Sequence, residues 1–330
     1  MSVLVTGGAG YIGSHMVLAL HDAGRDVVVV DNLSTGYRFL VPDGVPLIIG
    51  DVGDQALIAK TIKDHNVDAV VHFAGSIIVP ESVSDPLSYY ENNTVKSRAL
   101  IAACVKSGIG AFLFSSTAAV YGISEESPAY EDAHLVPISP YGASKLMTEW
   151  MLRDTAAAHD FNYVALRYFN VAGADPKGRS GQSGPEATHL IKIASQAALG
   201  TRDHMQVFGK DYDTPDGTCV RDYIHVSDLI AAHIDALAYL QNGGESNVFN
   251  CGYGQGYSVL EVIAAVEQAA GKRLDVRDAP RRAGDPASLV AGAEKIREAL
   301  GWQPKHNDLD KIVSSALAWE KSLPEISSRG

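Results

Sequence analysis

The chain has 330 residues, 46% hydrophobic and 20% charged, which are globular proportions with room for one large domain or two smaller ones. A formal net charge of −12 disfavours non-specific contact with nucleic acid or an anionic membrane surface. No stretch approaches the roughly 18 uninterrupted apolar residues of a membrane helix, and "MSVLVTGG" enters a strand at once without a basic leader, so a cytoplasmic protein with no membrane or nucleic-acid partner is expected.

The first half alternates apolar runs with helical patterns. Residues 3–7 (VLVTG), 26–31 (DVVVVD), 46–51 (PLIIGD), 69–75 (AVVHFAG), 111–116 (AFLFSS) and 163–170 (YVALRYFN) read as strands. They are continuously apolar, as strands buried on both faces are. Helices are predicted over 11–23, 55–64, 89–107 and 141–159. Such alternation predicts an α/β fold built on a doubly wound parallel sheet of the Rossmann type. Residues 171–189, rich in Gly, Pro and polar side chains, read as a long loop. Helices near 190–200, 227–241, 258–271 and 309–321 follow, with one strand at 247–251. The expected division is a dinucleotide-binding domain over 1–170 and a smaller mixed α/β substrate lobe over 171–330, with some segments returning to the first domain. Cys104, Cys219 and Cys251 form no CxxC pair, and the eleven histidines show no HExxH spacing, so neither a disulfide framework nor a metal site is expected.

"VLVTGGAGYIGSH" joins the first strand to the first helix and satisfies GxGxxG as Gly8, Gly10 and Gly13, and GxxGxxG as Gly7, Gly10 and Gly13. Glycines there allow a tight turn and close approach of backbone to a pyrophosphate, which the helix N-terminus at Tyr11 and Ile12 favours with free N–H groups. Asp31 ends the second strand 18 residues past Gly13, placed to accept from a ribose 2′-hydroxyl. No arginine directly follows it, which favours NAD over NADP.

In "SPYGASK", Tyr141 and Lys145 share a helix face at i, i+4 spacing. Such pairs also arise by chance, and context decides. The preceding strand ends in the hydroxyl-bearing "FSST", and ligands of doubly wound sheets bind at strand C-termini. Oxidising a secondary alcohol needs a base at the hydroxyl and a hydride acceptor at the carbon. A free tyrosine titrates near pH 10, so a tyrosine base working near neutrality needs its phenolate favoured by about 3–4 kcal/mol. A nearby ammonium and a cationic nicotinamide supply this jointly. Thr117 can share the same substrate oxygen. The small residues Gly142, Ala143 and Ser144 suggest close approach of the cofactor.

With "TGGAGYIGSH", "DNLSTG", "HFAG", "YYENN", "FSSTAAVYG", "SPYGASK", "LRYFNVAGAD", "GTCVRDYIHVSDL" and "APRRAGD", the chain resembles the extended short-chain dehydrogenase/reductase superfamily, and within it the UDP-glucose 4-epimerase family, over almost its whole length. The resemblance implies that Tyr141 takes a proton from the sugar O4 while C4 gives its hydride to tightly bound NAD. The 4-keto sugar then rotates and is re-reduced on its other face, so NAD is regenerated. It implies that Asp31 and Asn32 hold the adenosine ribose and that Asp51 and Val52 flank the adenine. Phe73, Ala74, Gly75 and Ser115 would line the cofactor cleft, with Asn92 near the pyrophosphate and Tyr168 beside the nicotinamide. Asn170, Arg221 and Arg282 would bind the substrate diphosphate and Asp285 the uridine ribose, with Phe208 and Tyr223 near the uracil and sugar pocket. A plainer reading of Arg221 is a surface ion pair with Asp222. A homodimer through the helices from Tyr89 and Tyr141 is also implied, and apolar Leu146, Trp150 and Met151 hint at it.

Three positions depart from relatives in this resemblance. Thr117 replaces serine and keeps the hydroxyl. Ile77 stands where some bacterial relatives carry a lysine near the cofactor phosphates. His189 replaces an asparagine at the diphosphate, and either donates through a ring nitrogen or packs in the loop. Apart from these, the position where a bulky tyrosine restricts the sugar C2 substituent falls on Leu289, or on Ser288 if the register slips by one; Leu289 predicts weak activity on UDP-N-acetylglucosamine, or alternatively only packs the lobe. The alternative functions are a 4-epimerase of another UDP-sugar (N-acetylhexosamine, uronic acid or pentose), a 4,6-dehydratase, or a redox sensor that binds NAD without turnover. Ala118 and Ala119 stand where dehydratases carry an Asp-Glu pair, and sensors usually lose the Tyr–Lys pair.

Overall fold

The computed structural model describes residues 2–124, 127–184, 188–282 and 284–327. The first half supplies strands β1 (Ser2–Thr6), β2 (Asp26–Asp31), β3 (Leu47–Ile49), β4 (Val67–His72), β5 (Ala111–Thr117) and β6 (Asn162–Tyr168). Later come β7 (Asn170–Ala172), β8 (Met205–Phe208), β9 (Val220–His225), β10 (Asn247–Cys251), β11 (Gly256–Ser258), β12 (Val276–Ala279) and β13 (Ser288–Leu289). A seven-stranded sheet runs in the order β10-β6-β5-β4-β1-β2-β3, every neighbouring pair parallel.

The central strands are buried on both faces, which explains their uninterrupted apolar character. Successive side chains point to opposite faces. Val3, Val5, Val71 and Leu113 enter one core, while Leu4, Val70, Phe112 and Phe114 enter the other. Helices Tyr11–Asp22 and Val226–Gln241 pack together, as do Gln55–Asp64 and Lys96–Lys106. The chain winds outward from β1 to β3, then returns to β4 and winds the other way. The crevice between the C-terminal ends of β1 and β4 is therefore the topological switch point, where such sheets bind ligands.

The second half carries more strands than expected. Residues 247–251 pair with β6, Asn247 opposite Val164 through Cys251 opposite Tyr168, and so extend the main sheet. Two small sheets were not foreseen: β9 lies between β11 and β13 and also pairs with β7, and β8 pairs with β12. These strands have two to six residues and mix polar or charged side chains with apolar ones, as in "VRDYIH", so no long apolar run announces them. The loop expected over 171–189 opens with β7, and Ala174 bridges to Gly181; residues 185–187 lie outside the described set. The helix expected over 89–107 arrives as Pro86–Tyr89, a π-helical stretch Tyr90–Val95, and Lys96–Lys106. Among the described residues, no helix is long and apolar enough to cross a membrane.

Candidate active site

The glycine loop closes the switch crevice. Gly7 has φ +70°, and a Cβ there would sit 2.6 Å from the Ala74 nitrogen, so the loops after β1 and β4 touch backbone to backbone. A Cβ on Gly13 would lie 2.1 Å from the Gly7 carbonyl oxygen. Gly10 begins helix Tyr11–Asp22 and offers no side-chain cap, which leaves first-turn N–H groups for an anion. Asp31, buried at the end of β2, accepts from the Ala9 N–H at 2.9 Å and the Leu33 N–H at 2.8 Å. Each carboxylate oxygen keeps a further lone pair for a ribose hydroxyl. Asn32 is exposed beside it. Asp51 accepts from the Gly53 N–H at 2.8 Å and from Lys96 Nζ at 2.6 Å. Burial opposes its charge, but these two donors hold it below the usual carboxylate range. Val52 is buried next to it. The cradle, the uncapped helix end and the strand-end carboxylate fit a dinucleotide.

Tyr141 and Lys145 stand on helix Pro140–Ala158. Ser139 caps it by accepting from the Gly142 N–H at 3.2 Å, and Pro140 fills its first turn, where no N–H is needed. Both side chains are turned inward and buried. Lys145 Nζ donates to the Ser115 carbonyl at 3.0 Å and lies 5.0 Å from the Phe114 ring centre. Burial pulls its ammonium down to about 8. Burial pushes the Tyr141 phenol up, and the hydrogen bond with Thr117 opposes that rise. A base role for this phenol would need cations, in addition to the Thr117 hydrogen bond, to favour its charged form. Tyr168 shares a hydrogen bond with Ser115, and burial holds its phenol far above neutrality, so it stays protonated.

Two of the small residues between Tyr141 and Lys145 are closely packed. A Cβ on Gly142 would lie 2.6 Å from the Ala119 carbonyl oxygen, and the Ser144 hydroxyl receives the Asn93 amide at 3.1 Å. Gly142 packs the helix against the "TAAV" turn, and Ser144 packs it against Asn93.

Asn93 escaped the sequence reading, which named only Asn92. Asn92 Nδ2 donates to the Ser76 hydroxyl at 2.9 Å, while buried Asn93 takes both backbone groups of Ser76. A directed chain supports it. Ser97 spends its proton on the Asn93 carbonyl at 2.6 Å, so it accepts from His72 Nε2 at 2.8 Å, and His72 Nδ1 accepts from Thr6 at 2.7 Å. The π-helical turn displaces the helical period here, and period was the signal that would have shown which asparagine points inward.

The expected substrate residues form three groups. Arg221 on β9 donates to Asp285 Oδ1 at 2.9 Å, and Leu289 pairs in register with Arg221. The expected alternative, Arg221 with Asp222, is wrong: buried Asp222 accepts the backbone N–H groups of Tyr253, Gly254 and Ala291. Arg282 stacks 3.8 Å over the Phe208 ring. Asn170 and Tyr223 face each other between β7 and β9, and with His189 they line a small cavity. The Tyr11 hydroxyl donates to the Gly173 carbonyl at 2.6 Å, tying this group to the glycine loop. All three cysteines are buried and unbridged.

The fold and site together define a dinucleotide-dependent oxidoreductase-type centre of the short-chain dehydrogenase/reductase class. The family model "NAD dependent epimerase/dehydratase family" matches residues 3–252. The UDP-glucose 4-epimerase of Azospirillum brasilense is 61% identical over 323 residues, covering 98% of this chain and 93% of that one. A solved UDP-glucose 4-epimerase structure superposes with a TM-score of 0.96 at 44% identity, covering 98% of both chains. Another, from Stenotrophomonas maltophila with bound NAD and formylated UDP-arabinopyranose, gives 0.95 at 39% identity, covering 98% of this chain and 99% of that one. The chain belongs to the NAD dependent epimerase/dehydratase family, among the UDP-glucose 4-epimerases.

Proposed function

We propose that this chain interconverts UDP-galactose and UDP-glucose by reversible oxidation at the sugar C4. The observation that carries this is one continuous arrangement: Tyr141, Lys145 and Thr117 at the switch crevice, and the β7–β9 pairing that sets Arg221 and Tyr223 beside Asn170, two residues after Tyr168. Bound NAD supplies the reversible hydride acceptor. The Gly7–Gly10–Gly13 loop, with Tyr11 and Ile12, holds its pyrophosphate. Asp31 and Asn32 hold the adenosine ribose, and Asp51 and Val52 the adenine. Phe73, Ala74, Gly75 and Ser115 line its cleft, Asn92 lies near the pyrophosphate, and Tyr168 lies beside the nicotinamide. Tyr141 removes the proton from O4 and returns it, with Thr117 sharing that oxygen and Lys145 stabilising the phenolate. Arg221 and Arg282 offer bidentate donors to the diphosphate, which local cations must hold against an overall acidic surface. Stacking on Phe208 leaves the in-plane N–H groups of Arg282 free for the diphosphate, and Arg221 keeps donors beyond its bond to Asp285. Asp285, which accepts from Arg221 at one oxygen, keeps acceptor sites for the uridine ribose.

The test uses purified protein with no added NAD, fed UDP-galactose, with UDP-glucose followed by a coupled assay. Turnover without added cofactor is expected. Turnover only with added NAD keeps the chemistry but makes the cofactor loosely held, with exposed Ile77, which brings no charge to the phosphates, as the first position to change. No turnover in either case ends the proposal.

Leu289 sits half-buried on β13. It leaves more room than a tyrosine, so slow turnover of UDP-N-acetylglucosamine is expected, and Leu289→Tyr should lower it at least tenfold while sparing UDP-galactose. Equal loss on both sugars would reduce Leu289 to a packing residue.

The proposal extends to a cytoplasmic homodimer. Val83, Leu87, Val95 and Trp150 are exposed on helices Val79–Ser84 and Pro86–Tyr89, the π-helical stretch, and helix Pro140–Ala158, and a second copy would cover them. Leu146 does not belong to that surface, since it lies in the core. The proposed division keeps residues 1–170 as the NAD half and residues 171–330 as the UDP-sugar half, with helix Val226–Gln241 and β10 returned to the first.

A further inference from the structure

The cavity behind the diphosphate residues has a second wall. Lys192, Trp319 and Glu320 face Asn170, His189 and Tyr223 across it. Lys192 lies on helix Leu190–Leu199 and Glu320 on the last helix, Leu309–Ser327, and their side chains form an ion pair only 4% and 8% exposed. Two apolar side chains of equal volume would hold these helices together without the desolvation cost of a buried pair. Stability alone therefore does not account for the charges.

Their other contacts do. Lys192 Nζ also donates to the main-chain carbonyl of Gln182 at 2.7 Å. Gln182 places its amide Nε2 2.6 Å from His189 Nδ1. In this amide orientation the nitrogen can only donate, so Nδ1 accepts, and the neutral imidazole then carries its proton on Nε2. Burial keeps the ring on the neutral side by lowering its pKa. His189 precedes helix Leu190–Leu199 but makes no side-chain cap to it, so the ring is not spent on its own helix. A diphosphate only accepts hydrogen bonds. The tautomer held here can donate to it, whereas the other would present a lone pair.

We propose that Lys192 and Glu320 are positioning residues for the substrate: anchored on the last helix, they fix Gln182, which holds His189 in the tautomer that donates from Nε2 to the nucleotide diphosphate. The inference rests on the UDP-sugar reading of the site. It makes the last helix part of substrate recognition without any contact of its own with the nucleotide.

The test is a mutant cycle read by UDP calorimetry and by kinetics on UDP-galactose. Lys192→Met alone would strand a buried carboxylate, so the main variant is Lys192→Met/Glu320→Leu, which removes both charges at similar volume. Its thermal midpoint should not fall, while Kd for UDP and KM rise about tenfold and kcat stays within about twofold. His189→Ala should weaken UDP about tenfold in the wild-type background and by less than about twofold in the double variant, because the two act through one bond. Lys192→Arg, which keeps the charge, should restore UDP affinity. Unchanged UDP affinity in the double variant, or losses that multiply to about a hundredfold with His189→Ala, overturns the proposal. Wild-type turnover alongside either result confines the failure to this inference. Wild-type protein that neither binds UDP nor turns over UDP-galactose removes the reading beneath it as well.

Discussion

Tyr141→Phe should lower kcat about a thousandfold, within the range set by loss of a positioned proton-transfer group, while fold and bound NAD persist. The ring is buried, and phenylalanine fills the same space, so packing on the Pro140–Ala158 helix is kept. Only the hydroxyl that meets Thr117 is lost. No neighbour can replace it. Tyr168 lies nearby, but burial holds its proton and its hydroxyl is engaged with Ser115. Lys145 is committed to the Ser115 carbonyl. The measurement is kcat on UDP-galactose together with NAD content of the purified variant. A variant that keeps more than about a tenth of wild-type turnover would take the proton-transfer role away from Tyr141. Loss of NAD with turnover would instead show that the phenol helps retain the cofactor.

The largest effect on stability is expected eight residues further along the same helix. Glu149 and Arg167 are both buried, and Arg167 grips the carboxylate with Nε at 3.0 Å and a terminal nitrogen at 2.7 Å. Ser116 also donates to Glu149, and Arg167 donates to the Tyr121 hydroxyl at 3.0 Å. Tyr121 passes its proton to Asn250 at 2.6 Å, and Asn250 Nδ2 donates to the Ala129 carbonyl at 2.8 Å. The network joins β5, β6, β10 and the Tyr141 helix below the reacting groups. Arg167→Met leaves a buried carboxylate without its cation and should cost about 3–5 kcal/mol of unfolding free energy. Arg167→Met/Glu149→Leu removes both charges and should recover most of it. Denaturant midpoints check this, and a single variant within about 1 kcal/mol of wild type would show that solvent or a neighbour compensates Glu149. Because the pair fixes the height of the Tyr141 helix, the double variant should regain stability sooner than activity.

Much of this was legible in the residues. The six apolar runs became six strands because a central parallel strand buries every side chain, which leaves a local mark needing no partner to read. The glycine loop was legible for a similar reason: "GGAGYIG" is a turn and a helix start, and both are local. Tyr141 and Lys145 were legible because a helix repeat sets their facing. Chain length and charge confined the site to a few local cations in an acidic protein, and the arginines of "VRDYIH" and "RRAGD" were visible as candidates.

What remained hidden depends on partners distant in sequence. Residues 247–251 show themselves as a strand, but only pairing with β6 places them in the main sheet. The short strands β9, β11 and β13 carry polar residues, and they exist because each completes another's hydrogen bonds. Arg221 found Asp285, 64 residues away, rather than the adjacent Asp222, because Asp222 is taken by backbone donors. Asn93, Glu149, Lys192 and Glu320 read as ordinary polar helix residues, since burial and ion pairing are properties of the packed chain. Local chemistry determined which groups this protein would use. Tertiary packing decided which of them are desolvated, paired and aimed, because those depend on what surrounds a side chain and not on its neighbours in the sequence.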